Sequence, residues 1–286
     1  MRSGLAILLG LLLLPSAAAG QNPPPAAAPD AAAIVRRAIQ LRLDEAKHPQ
    51  PFQYLLRKID DKHDTTKLII ETKDGDVARL VAIGGKPLPP DVNSAEFARL
   101  DALAQHPEIQ EKRRKSEQKD EDRITHLLGQ LPDAFLYKIE AIVPCPANPS
   151  SQCYQMTFTP NPSYSPPDME SELLRGAAGQ VWIDRQQQRL TRLDARFTSN
   201  VDLGFGMLAR LNRGSTVSLE QADIGGRDWE LTGLQVHATG KLLLFKSFTS
   251  QINEKMTHFS AVPPSLGYRE AIALAKKFDP SEAYTP

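Results

Sequence analysis

Six histidines stand at 48, 63, 106, 126, 237 and 258. No two fall at the i, i+4 spacing of a helical metal site, and none neighbours a cysteine. His63 lies in DDKHD, whose Asp60, Asp61 and Asp64 lack the rest of a calcium loop and read as a solvated hairpin tip. No G-x-S-x-G elbow, P-loop or H-E-x-x-H occurs, and no nucleophile stands with a base and an orienter. A non-enzymatic protein is expected, with no metal and no cofactor. Cys145 and Cys153 flank the proline-rich PANPSSQ, and two thiols without a neighbouring histidine supply half a zinc site. In an exported chain such a pair reads as a disulfide pinning a hairpin end.

One stretch resembles a phosphate cradle: VDLGFGMLARLNRGS, residues 201–215, with spaced glycines and two arginines. A phosphate loop follows a buried strand and opens a helix. Here the preceding RLTRLDARFTSN alternates and the following STVSLEQADI is another strand. The glycines instead permit a tight connection from which Phe205, Met207, Leu208 and Leu211 project, capping a core or lining an apolar opening.

The start of the chain supports export. Arg2 precedes an apolar run from Leu5 to Leu14, then Pro15 and Ser16-Ala17-Ala18-Ala19. That order is a secretory signal peptide over residues 1–19, its apolar run too short to span a membrane. No cysteine lies near the expected cleavage site for lipid attachment. Residues 20–29 form a Pro/Ala-rich linker, and 30–286 are expected to be one domain, periplasmic or secreted. Lys+Arg and Asp+Glu are both 34, a balance that argues against nucleic acid.

The elements that would position any site follow from periodicity. DAAAIVRRAIQLRLDEAK reads as an amphipathic helix capped by Asp30 and stopped at His48-Pro49. FQYLLRKID, TTKLIIETK and DVARLVAIG read as strands, the last two joined through Asp74-Gly75. Residues 93–131 turn helical, and EKRRKSEQKDEDR within them reads as a solvated face of an inserted helical hairpin. AFLYKIEAIV, CYQMTFTP, QVWID and RLTRLDARF follow as strands, with SELLRG a helical turn. In RLTRLDARF, Thr191, Leu193, Ala195 and Phe197 face one way and Arg192, Asp194 and Arg196 the other. TVSLEQADI, DWELTGLQVHA, KLLLFKSFTSQIN and KMTHFS continue the strands, with Gly225-Gly226 and Gly240 as turns, before a final helix, YREAIALAKKF. Eight to eleven antiparallel strands with one apolar face would curl and need helices to cover them.

The segment from GQVWID through RLTRLDARF, the glycine-rich bend, the DWELTGLQVHA strand and GKLLLFKSF resembles the LolA/LolB-like proteins of bacterial envelopes, which include lipoprotein carriers and the lipid-sensing domain of RseB-type regulators. The resemblance runs over most of residues 52–260 and is closest to uncharacterised exported members sharing GKPLPP and VWID. It implies an α+β fold: a large curved antiparallel sheet, an incomplete β-barrel, covered by helices around an apolar cavity for acyl chains. The helical insertion and the cysteine loop depart from a simple carrier. The expected ligand is a lipid or acylated protein, held by Trp182, Leu193, Phe197, Phe205, Met207, Leu208, Trp229, Leu244 and Phe248. The alternative is a structural or regulatory module that contacts another envelope protein.

Overall fold

The computed structural model describes residues 29–203, 209–225, 228–242 and 246–281. Helix α1 (Ala31–Ala46) begins where the Asp30 carboxylate accepts the N–H groups of Ala32 at 2.9 Å and Ala33 at 3.2 Å. Strands β1 (Phe52–Asp60), β2 (Asp64–Ile70), β3 (Val77–Ile83) and the short β4 (Lys86–Pro87) follow. Gly75, at φ +94°, makes the β2–β3 turn, as its Asp-Gly pair predicts. Helices α2 (Pro90–Gln105) and α3 (Pro107–Ala134) then lead to β5 (Phe135–Pro144) and β6 (Gln152–Pro160). Cys145 and Cys153 are disulfide-bonded and buried at the end of that hairpin.

A 3₁₀ helix (Ser171–Gly176) precedes β7 (Ala177–Asp184) and β8 (Leu190–Phe197). Strands β9 (Val201–Leu203), β10 (Ala209–Leu211), β11 (Thr216–Asp223), β12 (Trp229–Leu242) and β13 (Lys246–Ala261) complete the sheet, and α4 (Tyr268–Lys277) follows. The order is β4-β3-β2-β1-β13-β12-β11-β8-β7-β6-β5, all antiparallel, with β9 and β10 attached beside β12. Among the described residues strands β4 and β5 are the two unpaired edges, so this large antiparallel sheet with its helices does not close into a barrel.

The sheet has thirteen strands against the eight to eleven expected, because the glycine-rich bend contributes β9 and β10 and a short β4 forms at residues 86–87, and three further details differ from the sequence reading. The residues 93–131 form no simple hairpin: helix begins at Pro90, breaks at His106 before Pro107, and runs to Ala134, with α3 packed mainly on α1. The final strand is unbroken from Lys246 to Ala261. Gly240 is not a turn but an interior residue of β12, where a Cβ would collide with the Arg210 carbonyl and the Phe248 ring.

Opposed residues in an antiparallel ladder share a face, and alternate residues along a strand do too. Leu55 and Arg57 therefore share a face, and the pairs Arg57–Lys255, Lys255–Gly233, Gly233–Glu220, Glu220–Arg192 and Arg192–Trp182 carry that face across the sheet. Leu193 and its partner Val181 lie on the other face. The protein thus has two cores on opposite faces. Leu55, Leu68, Val81 and Leu100 form one with α2 and α4, and Val35, Ile39, Met156 and Val181 the other with α1.

In the first core the Arg79 guanidinium, 2% exposed, donates to the carbonyls of Ala275 at 2.6 Å and Phe278 at 2.9 Å, at the C-terminal end of α4. Its other nitrogen reaches Asn93 Oδ1 at 3.3 Å, and Phe97 lies under the group, 4.8 Å away. Replacing Arg79 by Ala leaves those carbonyls without their donor, so Arg79→Ala should cost about 3 kcal/mol or more in urea unfolding. Reducing the buried Cys145–Cys153 bond, which closes a short loop, should cost about 2–3 kcal/mol on the same assay.

Candidate functional site

On the Leu193 face, Leu193, Leu219 and Leu234 stand opposite one another on β8, β11 and β12. Beside them Ala195, Val217, Val236 and Ile252 make a second apolar row. Helix α1 packs over the β5–β8 end of this face, while the rows on β11–β13 are only half-buried. The opposite face of the same strands is polar. There Arg192 binds Asp194 at 2.8 Å and Glu220 at 2.6 Å, and Gln180, Ser218, Gln235 and Asn253 continue the rows.

A cavity of about 650 Å³ opens on the Leu193 face, bounded by the end of α1, the middle of α3, residues 48–52, the end of β2 and the start of β12. It lies in the size range of small-molecule sites, roughly 300–1,000 Å³. Phe52, Ile124, Leu128 and Trp229 form its apolar parts. An apolar recess of about 80 Å³ lies alongside, sharing Arg42, Glu45, Leu128 and Trp229 with it and lined beyond by Leu131, Leu190, Leu193 and Leu219. Glu45 forms a 2.5 Å ion pair with Arg189 at this junction.

The rest of the cavity wall is rich in carboxylates. Glu71 accepts the Phe52 N–H at 2.8 Å, but burial, reinforced by Asp76 and Glu230, pushes its carboxyl up to about 7. Burial likewise pushes Asp76 up to about 7, with Glu117 and Glu121 adding repulsion and Arg113 opposing it. Burial also raises Glu230, against the pull of Arg42. These groups escape notice in the sequence because each sits at a strand end, where a carboxylate reads as solvated. The available signal was Glu71 falling two residues after Ile69, where the alternation of β2 carried one step past its end puts both on one face.

The structure brings together only part of the residues expected to line an apolar cavity. Leu193 and Trp229 line the recess. Phe197 is buried in the adjoining core, 8% exposed. Trp182 lies on the polar face under Arg192, because the alternation of β7 turns Val181 and Ile183 toward α1 and Trp182 away. Phe248 packs over Gly240, well along the β12–β13 hairpin. Phe205, Met207, Leu208 and Leu244 fall outside the described residues.

One further group has the residue types of a nucleophile relay. His126 Nε2 lies 2.6 Å from Asp168 Oδ2 and 3.4 Å from the buried Ser171 hydroxyl. A relay needs serine on one ring nitrogen and carboxylate on the other. Here both partners use the same nitrogen, so the contact ties α3 to the 3₁₀ helix instead.

No family model matches the sequence, and no curated protein does. Among solved structures, a DUF1329 family protein from Desulfovibrio piger ATCC 29098 is a neighbour at 13% identity and a TM-score of 0.28. The match covers 84% of this chain and 97% of that one.

The half-buried rows and the closed core should respond differently to truncation. Leu219→Ala and Val236→Ala should each lower the unfolding free energy by about 1 kcal/mol or less, against about 2–5 kcal/mol for Met156→Ala at a fully buried position. Urea midpoints of the three variants check this.

Proposed function

We propose that the protein is a non-enzymatic binder of a lipid or acylated ligand in the bacterial envelope. The observation that carries this reading is the half-buried apolar surface of β8, β11 and β12, which runs beside a cavity large enough for a ligand. An acyl chain laid along Leu193, Leu219 and Leu234 gains about 0.8 kcal/mol per buried methylene. The polar end of the ligand then sits in the cavity, where carboxyl groups and Arg42 offer hydrogen bonds. Export by residues 1–19 would deliver the protein to the periplasm, where lipids and lipoproteins move between membranes, and the resemblance to LolA/LolB-like proteins points the same way. Trafficking of such a ligand is the role that fits.

Mass spectrometry of organic extracts from protein purified in the presence of membranes should find lipid at near-stoichiometric amounts. Leu219→Glu places a charge in the middle of the apolar row and should weaken binding of a fluorescent fatty acid about tenfold or more while the fold survives. Protein that purifies free of lipid, with probe binding unchanged in Leu219→Glu, would reject the reading in favour of a protein-contact module.

A further inference from the structure

The middle of α3 roofs the cavity, and its hold on the sheet is local. Gln110 donates to the Asp74 carbonyl at 3.1 Å, and Glu117 Oε2 accepts the Asp76 N–H at 3.0 Å. Both contacts go to the β2–β3 turn, and the helix sits directly on it: a Cβ at Gly75 would lie 2.9 Å from Glu117 Oε2 and 3.0 Å from Arg114 Cβ. Beyond this point the exposed Ile124 is the next cavity-lining apolar side chain on the helix, and firm packing resumes only at Leu128 and Leu131.

Beneath that span the charges are unbalanced. Among the described residues the Asp76 and Glu230 carboxylates make no hydrogen bond or ion pair, and Glu71 has only the Phe52 N–H. From α3, Glu117 and Glu121 face Asp76, with Arg113 the opposing cation. Arg114 of the same helix is held by both oxygens of Glu111, at 2.9 Å each. From the start of β12 and the residue before it, Glu230 and Asp228 face the cavity; from α1 come Arg42 and Glu45, and from α3 also Asp120; Lys73 and His48 stand on the wall as well.

We propose that α3 is a pH-operated lid on the cavity, in which ionisation of Asp76, with Glu71 charged behind it, sets Asp76 against Glu117 and Glu121 and lifts the first half of the helix off the β2–β3 turn. This rests on the binding function above and supplies its regulation. The closed arrangement favours the protonated carboxyls, because burial holds Asp76 and Glu71 up to about 7. Opening returns them to water, where each ionises at its ordinary, lower value. The closed state therefore binds more protons between the ordinary carboxylate range and about 7, so it dominates in acid, loses ground as pH rises toward about 7, and is not weakened further above that. A two-state helix biased in this way changes access to the cavity without changing the sheet.

Trp229 reports on the lid, because it is 8% exposed and lines the cavity. The chain has two tryptophans, so Trp182→Phe leaves Trp229 as the single emitter. Acrylamide quenching of this protein from about pH 5.5 to about pH 8.5 should rise about threefold, with a midpoint near neutrality. Asp76→Asn should keep quenching low throughout, and Glu121→Gln, an exposed change that leaves folding intact, should reduce the rise. Amide hydrogen exchange over residues 113–121, corrected for the intrinsic base-catalysed rate, should lose protection across the same pH interval. Flat quenching in the Trp182→Phe protein, or an unchanged profile in both carboxylate variants, would overturn the lid. No ligand enters this experiment, so its failure leaves the lipid-binding test standing, and failure of that test leaves the lid measurable.

Discussion

The pairing of the first strand with the last governs the architecture. Strand β1 lies against β13 from Phe52–Ala261 to Asp60–Ile252, with a Lys58–Glu254 ion pair of 2.8 Å and Tyr54 stacked on Phe259 at 5.1 Å. Once these two are neighbours, β4 and β5 become opposite edges of the sheet, although only α2 and α3 separate them in sequence. Eleven strands spaced about 4.8 Å apart would set those edges about 48 Å apart if flat. The 28 residues of α3 reach about 42 Å at ~1.5 Å each. The long charged helix is the crossing that this strand order demands.

The crossing also explains the character of the site. At its start α3 rests on the β2–β3 turn, and at its end it joins the core under α1. Between these anchors it passes over a part of the sheet where neither core extends, so its inner face meets carboxylates with only Phe52 and Trp229 among them as large apolar side chains. Its run of charges therefore serves two settings at once: pairs such as Glu111 with Arg114 face water, while Glu117 looks onto the β2–β3 turn. The cavity is the space left where a polar helix bridges two apolar centres.

Much of this was legible in the residues. The alternation of RLTRLDARF fixed which side of β8 is greasy, and Asp30, Gly75 and the Cys145–Cys153 pair fell where their chemistry placed them. Strand order was not legible, because hairpins reveal only neighbours in sequence, and β1 with β13 are not. Without that pairing the charged run could only look like a solvated insertion. Trp182 shows the same limit at a single residue: in QVWID every second residue is apolar on one side, yet tryptophan occupies the other, and only the register with Arg192 reveals it. The carboxylates of the cavity were hidden for a related reason, since each gains its environment from an element distant in the chain.

The division of the apolar interior has a consequence for how the molecule comes apart. The two cores share no residue, and between them run β11, β12 and β13, joined mainly by backbone ladders with half-buried side chains. Apart from α3, cooperativity between the halves must then pass through peptide hydrogen bonds rather than through interlocked side chains, which transmit disruption more sharply. The middle strands act as a mechanical seam: each half can loosen while the other keeps its own packing, and global unfolding need not be all-or-none. A molecule held across that seam, touching α1 on one side and β2 on the other, would fuse the two halves into a single melting unit.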